Sequence, residues 1–274
     1  MSELTRRPGP SVRVRVQDLT PSGLREREDR LATEEPLEIR LAWPGAPARR
    51  AWVTMRTPGH DFELATGWLV HEGIARDVAG VAYCTDVDLT REQELNVVTV
   101  TLDGPPLRDH AHQHDAVTAG SSACGVCGKD SIESAMSVTA ASRWAGEMPG
   151  PDVVRLLPDR LREGQSLFER TGGVHAAGLF TVAGDVLVVR EDVGRHNAVD
   201  KVTGARVLAG RAPAEAGLVV SGRAGFELVQ KALAAGVGSL VAVGAPTSLA
   251  ARLAGDGGLA LFGFASAERV VRYC

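Results

Sequence analysis

The sequence predicts an α/β fold, with a smaller α+β unit ahead of a C-terminal α/β domain. Two observations carry that prediction. In the last third, short apolar runs at 218–220, 240–243 and 259–262 alternate with helix-length segments at 226–235 and 247–254. Strand and helix joined by short links argue for parallel strands and right-handed crossovers. In the first hundred residues the dominant pattern is instead apolar–polar alternation, interrupted by one helical stretch. A polar connection from Pro105 to Asp115 separates the two patterns. The expected organisation is a tail and first strand over 1–18, an N-terminal α+β domain over 19–112, and a C-terminal domain over 113–274.

Taken in order, residues 1–10 are polar and rich in Pro and Gly, the composition of a loose tail. Residues 11–17 alternate Val12, Val14 and Val16 against Arg13 and Arg15 and read as a strand. The charged stretch 20–33 reads as a loop. Residues 37–41 and 51–55 alternate around Pro44-Gly45-Ala46-Pro47, a hairpin signature. A helix then opens with Asp61 as its N-cap and ends at Gly73. Residues 78–88 and 96–102 read as strands. Further on, the spacing predicts helices at 130–143 and 158–170, and a hairpin of 179–182 with 186–189 turning at Gly184-Asp185.

Composition narrows the function classes. The chain has 274 residues, 44% of them hydrophobic and 23% charged, with net charge −4. That balance suits a globular protein and argues against a basic nucleic-acid binder. No apolar run is long enough to span a membrane. Arg6-Arg7 is followed by Pro8-Gly9-Pro10 and not by an apolar segment, so a twin-arginine export signal is not expected. Four cysteines in this length do not make a disulfide framework and fit a reducing, cytoplasmic setting.

The stretch with the clearest chemistry is Ser121-Ser122-Ala123-Cys124-Gly125-Val126-Cys127-Gly128. Glycines leave little bulk over the two sulfurs. Lys129 and a helix start at Asp130, with Glu133 at capping-box spacing, would favour a thiolate. Such a pair serves as half a zinc site, as a redox dithiol or as a sulfur carrier, and the spacing alone does not choose among them. A zinc site would have to recruit His110, His112 or His114, because Cys84 and Cys274 are remote.

Ligands of open α/β sheets bind beyond the carboxyl ends of the strands. Four such ends are rich in Gly, Ser, Thr or Arg. They are 190–197, with Arg190, Arg195 and His196; 221–225, with Ser221 and Arg223; 244–248, with Thr247; and 263–269. Helix N-termini near Ala224 and Thr247 would offer N–H groups to an anion, and the arginines could clamp phosphates. Ser221 and Thr247 could equally cap helices. Together the four loops point to an anionic, phosphate-bearing ligand, although neither a P-loop nor a GxGxxG motif occurs. Asp192, His196 and Asp200 could form a charge relay. His175, beside Gly172-Gly173, reads as a base or as a packed histidine, and His71 lies close to a helix end.

Several stretches together resemble the formate dehydrogenase accessory sulfurtransferases, the FdhD family. They are Glu63-Leu64-Ala65-Thr66-Gly67, Ser122 through Gly128, Thr171 through Ala177, Arg190-Glu191-Asp192-Val193-Gly194-Arg195-His196-Asn197-Ala198-Val199-Asp200-Lys201, Val229-Gln230-Lys231-Ala232, and Ala245 through Ala250. The resemblance implies a three-layer α/β/α C-terminal domain of cytidine-deaminase-like type. It implies a sulfurtransferase that accepts sulfur from a cysteine desulfurase as a persulfide on Cys124, assisted by Cys127. That sulfur passes to molybdenum bis(molybdopterin guanine dinucleotide), bound as cargo, for the catalytic subunit of formate dehydrogenase. It further implies a homodimer, no protein-ligated metal, and a cofactor contact over Phe264, Ala265, Ser266, Ala267, Glu268 and Arg269. Ser266-Ala267 departs from the Arg-Gly more usual there. A cofactor chaperone with a structural or redox CxxC is the alternative, and a thiol–disulfide oxidoreductase is a third reading. A zinc deaminase is disfavoured because the H-x-E and P-C-x-x-C pair is absent.

Overall fold

The computed structural model describes residues 9–85, 89–90, 93–108, 140 and 142–274. Cys124, Cys127, the three histidines at 110–114, Lys129 and most of the helix expected at 130–143 lie outside them. Ser142 and Arg143, within that expected helix, are not helical.

The chain opens with a two-stranded ribbon, β1 (Ser11–Thr20) and β2 (Gly23–Ala32), antiparallel throughout. β2 corrects the loop expected at 20–33, and the 18/19 division falls inside β1. The reason is physical. Both faces of the ribbon are largely wet, so LREREDRLA needs no apolar alternation. Cross-strand charge serves instead, with Arg27 Nε 2.8 Å from Asp18.

A four-stranded sheet follows, in the order β4-β3-β6-β5. It is built from β3 (Glu35–Trp43), β4 (Ala46–Arg56), β5 (Gly80–Tyr83) and β6 (Val97–Thr101). Helix α1 (Asp61–His71) packs on it through Leu64, Trp68 and Leu69 against Leu37, Ile39, Val98 and Val100. Trp52 and Trp68 stack with ring centroids 4.9 Å apart. His60, in the left-handed region, is the N-cap of α1, correcting the expectation of Asp61. Asp61 is the first helical residue. Its carboxylate accepts from the buried Arg56 guanidinium at 3.0 and 3.2 Å and from the Tyr83 hydroxyl at 2.7 Å.

The C-terminal part holds α2 (Pro151–Glu163), α3 (Ser166–Thr171), β7 (His175–Phe180), β8 (Val186–Asp192), α4 (Arg195–Leu208), β9 (Gly217–Val220), α5 (Phe226–Ala235), β10 (Ser239–Ala242), α6 (Ser248–Gly257), β11 (Ala260–Gly263) and β12 (Val271–Arg272). The helix expected at 158–170 is two helices, broken at Gly164-Gln165. α2 begins earlier than expected because Pro151 suits the first helical position.

The sheet order is β12-β11-β10-β9-β7-β8. β9, β10 and β11 are parallel, as the alternation predicts. β7 is antiparallel to both β8 and β9, which makes β8 parallel to β9. The carboxyl ends of β8, β9, β10 and β11 therefore share one edge with the start of β7. One face of the sheet buries Leu179, Leu218 and Leu240 against Val199 and Val202 of α4 and Leu228 of α5. The other buries Phe180, Val219 and Val241 against Val154, Leu157 and Leu161 of α2. The result is three layers.

α1 and α4 cross with their backbones in contact. A Cβ at Gly67 would overlap the Asp200 carbonyl, and one at Gly204 would overlap the Glu63 carbonyl. Glycine is required at both positions, and α1 is thereby shared between the N-terminal sheet and the C-terminal domain.

Candidate functional site

The strand-end loops lie side by side and continue the parallel pairing past the sheet. The Gly244 N–H donates to the Gly222 carbonyl at 2.9 Å, and Thr247 N–H to Ala224 at 3.0 Å. Phe264 N–H donates to Gly244 at 3.2 Å and Ala265 N–H to Ala242 at 3.1 Å. A Cβ at Gly244 would come within 2.9 Å of Arg223 Cγ, so glycine lets these loops close up. α4, α5 and α6 all begin on this edge, at Gly194, Gly225 and Thr247. Their free N–H groups give it a positive field.

The charged side chains reinforce that field unequally. Among the described residues, Arg195 is half-buried and Arg223 exposed, and neither makes an ion pair. Arg269 lays its guanidinium over the exposed Phe264 ring, 5.1 Å from the centroid. Phe264 itself holds a left-handed φ of 51°. Ser266 and Arg269 close a turn through the Ser266 N–H and the Arg269 carbonyl, 2.8 Å apart, with Ala267 and Glu268 exposed between them. Ala265 is a core residue packed toward α2. Phe264 and Arg269 are thus the parts of 264–269 that present a ring and a positive charge, beside the exposed Glu268 carboxylate.

Other candidates have structural partners. Arg190 forms a two-point pair with Glu63 of α1, through Nε and through Nη2 at 2.7 Å. Burial works against ionisation of Glu63, but Arg190 and His60 outweigh it and hold the carboxyl down at about 2. Ser221 Oγ accepts from the Ala176 N–H at 2.9 Å and ties β9 to β7, so it does not cap α5. Thr247 caps α6, accepting from the Ala250 N–H at 3.3 Å.

The charge relay from Asp192 through His196 to Asp200 is not formed. Asp192 pairs with the buried Lys201 at 2.6 Å and accepts from the Thr57, Gly194 and Asn197 nitrogens. His196 Nε2 lies 2.8 Å from Glu227, a partner that the sequence reading missed. Its signal is an acid in the first turn of α5. Asp200 pairs with Lys231 at 2.7 Å and with His71 Nδ1 at 2.5 Å, all three buried. His71 is therefore a core residue of the α1–α4 junction. The stretch from Arg190 to Lys201 is divided in role. Arg190, Asp192, Asn197, Asp200 and Lys201 fasten the N-terminal unit to the sheet, while Arg195 and His196 remain at the edge.

His175 begins β7 on the same edge and is half-buried. Burial, then Arg195 and His196, push its pKa below the ordinary imidazole value, with Asp192 opposing. It is a neutral imidazole near pH 7. A cavity of about 590 Å³ opens beside it, lined by His175, Ser221, Val193 and Val243 from the sheet edge and by Gln165 and Phe168 from the α2–α3 side. The arrangement offers cations and N–H groups for an anion next to a recess of mixed polarity.

The sequence profile of the FdhD/NarQ family matches residues 32–274. A protein of Nocardia farcinica named "Sulfur carrier protein FdhD" is 48% identical over 269 residues, covering 96% of this chain and 92% of that one. Proteins of the same name from Mycobacterium tuberculosis and Thermoplasma volcanium are 46% and 39% identical, over 91% and 88% of this chain and 91% and 86% of theirs. A crystal structure from Desulfotalea psychrophila, described as a proposed formate dehydrogenase accessory protein, superposes with a TM-score of 0.75 at 21% identity. It covers 96% of this chain and 97% of its own, and at that identity the likeness is one of fold. With a family match over residues 32–274 and relatives aligned over most of both chains, this chain belongs to the FdhD/NarQ family.

Proposed function

We propose that the protein is a sulfurtransferase serving formate dehydrogenase, with Cys124 as the carrier thiol. The Cys124 thiolate attacks the outer sulfur of a persulfide on a cysteine desulfurase, and the donor cysteine leaves as its thiolate. The sulfane sulfur moves without net redox change. At delivery the Cys127 thiolate attacks Cys124 Sγ and releases hydrosulfide. The sulfur is reduced as the two cysteines are oxidised to a disulfide, which a thiol reductant then reopens. The acceptor is molybdenum bis(molybdopterin guanine dinucleotide), held as cargo before it enters the catalytic subunit. On this reading the protein works in the cytoplasm as a homodimer, and its C-terminal domain is of cytidine-deaminase-like type.

One observation carries the reading: the family match takes in both cysteines, and the relatives it aligns with bear the name of sulfur carriers. The strand-end edge supports the cargo. Arg195, Arg223 and Arg269 with three helix N-termini suit pyrophosphate, and the Phe264 ring offers a stacking face.

The test is the intact mass after incubation with a cysteine desulfurase and cysteine. A reducible gain of one sulfur is expected in the unaltered protein and in Cys127→Ala, and no gain in Cys124→Ala. A gain that survives Cys124→Ala overturns the role of Cys124. No gain at all with an active desulfurase leaves a cofactor chaperone.

A further inference from the structure

The β1–β2 ribbon finds little support in the rest of the chain. β1 packs mainly on β2, and β2 meets the body through α3, with Ala32 beside Gly173 at the base. A two-stranded hairpin by itself is marginal in water, and three or more strands make an independently stable sheet. Apolar side chains nevertheless stand out from it. Leu19 and Leu24 face each other at the tip, 79% and 58% exposed, and Val12 and Leu31, opposite each other near the base, are each 48% exposed. Among the described residues no third strand joins either edge.

The outer edge of β2 has a definite phase. Thr20 pairs with Gly23 across the two-residue turn Pro21-Ser22, so Gly23 and every second residue after it aim their N–H and C=O groups at β1. The Thr33 N–H keeps that phase, donating to the Pro10 carbonyl at 3.0 Å. Leu24, Glu26, Glu28, Arg30 and Ala32 therefore present theirs outward. The Glu28 carbonyl has the Arg27 guanidinium at 3.3 Å, which leaves it a second lone pair. The charge string along this edge is its own complement when run antiparallel about Glu28. Glu26 then meets Arg30 of a second copy and Arg27 meets Asp29, each twice by symmetry, which makes four pairs of opposite sign. Glu28 meets its own copy, with Arg15 directly across the ribbon from it in each chain. The tip pair Leu19–Leu24 is continued by Ala32 of the second copy. Moving the centre to Arg27 sets Arg27 against itself and Glu26 against Glu28, so charge selects the register about Glu28.

We propose that two copies of this chain join through the outer edges of β2, antiparallel about Glu28, into one four-stranded sheet of order β1-β2-β2-β1. Five outward residues on each copy supply about ten backbone hydrogen bonds across the seam. The inference rests on the homodimer assigned above and is independent of the sulfur chemistry. It gives the ribbon the further strands that its stability calls for and covers an edge that carries neither Lys nor Pro to protect it.

Sedimentation velocity of the full chain over a range of concentrations tests it. The unaltered chain should be a dimer. Glu26→Arg and Arg30→Glu, made singly, each create two like-charge pairs across the seam and should weaken the dimer about tenfold or more. Glu26→Arg combined with Arg30→Glu restores opposite signs and should recover the dimer, which a folding defect in either single variant would not allow. Geometry is checked by cross-linking in a chain with Cys124 and Cys127 replaced by Ala. Glu28→Cys, opposite its own copy with Cα atoms about 5.5 Å apart, should form a disulfide-linked dimer under mild oxidation. Gln17→Cys on β1 should not, because its copy lies about 14 Å away across the four strands. A dimer that both charge reversals leave unchanged, or one in which Glu28→Cys links no better than Gln17→Cys, overturns the seam and leaves the homodimer standing on another face. A monomeric unaltered chain overturns the homodimer and the seam together.

Discussion

Lys231→Met removes an ammonium 2.7 Å from the Asp200 carboxylate, at a site where Asp200 is wholly buried and Lys231 is 8% exposed. Taking one partner from a buried ion pair costs about 3–5 kcal/mol, because the other charge remains without compensation. His71 Nδ1, 2.5 Å from the same oxygen, offers partial relief. In the unaltered protein burial holds the His71 pKa below its ordinary value, with Asp200 pulling upward and Lys231 pushing down. The folded state thus keeps His71 neutral, whereas the unfolded chain takes up a proton below about pH 6.5. This group therefore withdraws stability as the pH falls through that value. Without Lys231, Asp200 draws a proton onto His71 in the folded state, and the acid loss shrinks. Urea unfolding followed by tryptophan fluorescence should show a deficit of about 3–5 kcal/mol near pH 8. The deficit should be smaller by on the order of 1 kcal/mol near pH 5.5. A deficit under about 1 kcal/mol, or one that grows in acid, would refute the buried triad as an electrostatic unit.

Three further outcomes are expected. Gly204→Ala places a methyl against the Glu63 carbonyl and should cost about 3 kcal/mol in urea unfolding, while a cost near zero would mean that α1 and α4 do not touch. Glu63→Gln should remove about 1–2 kcal/mol near pH 7. Because Arg190 and His60 depress the Glu63 pKa to about 2, that difference is present above about pH 4.5 and fades as acid approaches the folded value; a difference persisting in acid would contradict the pairing. Ser221→Ala and Arg223→Leu should separate scaffold from ligand contact. The first leaves the Ala176 N–H without its acceptor and should cost about 1–2 kcal/mol in stability with pyrophosphate affinity kept. The second should leave stability unchanged, weaken pyrophosphate several-fold and flatten its salt dependence, and the reverse pattern would exchange their roles.

What could be read beforehand followed from periodicity that burial enforces. β9, β10 and β11 are buried on both faces, and their apolar runs announced them. The shared strand-end edge followed from their parallel sense. β2 was hidden because a wet ribbon imposes no alternation, and the break at Gly164-Gln165 because the apolar pattern runs through it. The partners of charged residues were the least legible part. Asp200 meets Lys231 and His71 across separations of 31 and 129 residues, a relation fixed by how α1 lies on α4 and by no local pattern.

The division of labour within 190–201 has a consequence for how the edge works. Arg195 and His196 follow Asp192 after Val193 and Gly194, and the Asp192 carboxylate is held by Lys201 and by three nitrogen donors, two of them backbone. Thr57, next to the buried Arg56, both donates to Asp192 and accepts from the Val193 N–H at 3.1 Å. The turn that aims Arg195 is therefore set from the N-terminal unit as well as from its own sheet. α1 adds a second fastening through Glu63 and Arg190, and the glycine crossing a third. A cation at a helix start supported by buried ion pairs loses little freedom when an anion arrives, so its affinity depends on preorganisation more than on charge count. The N-terminal unit acts, on this argument, as the rigid backing of the edge. Loosening the α1–α4 crossing should reach pyrophosphate binding without touching any residue that faces it.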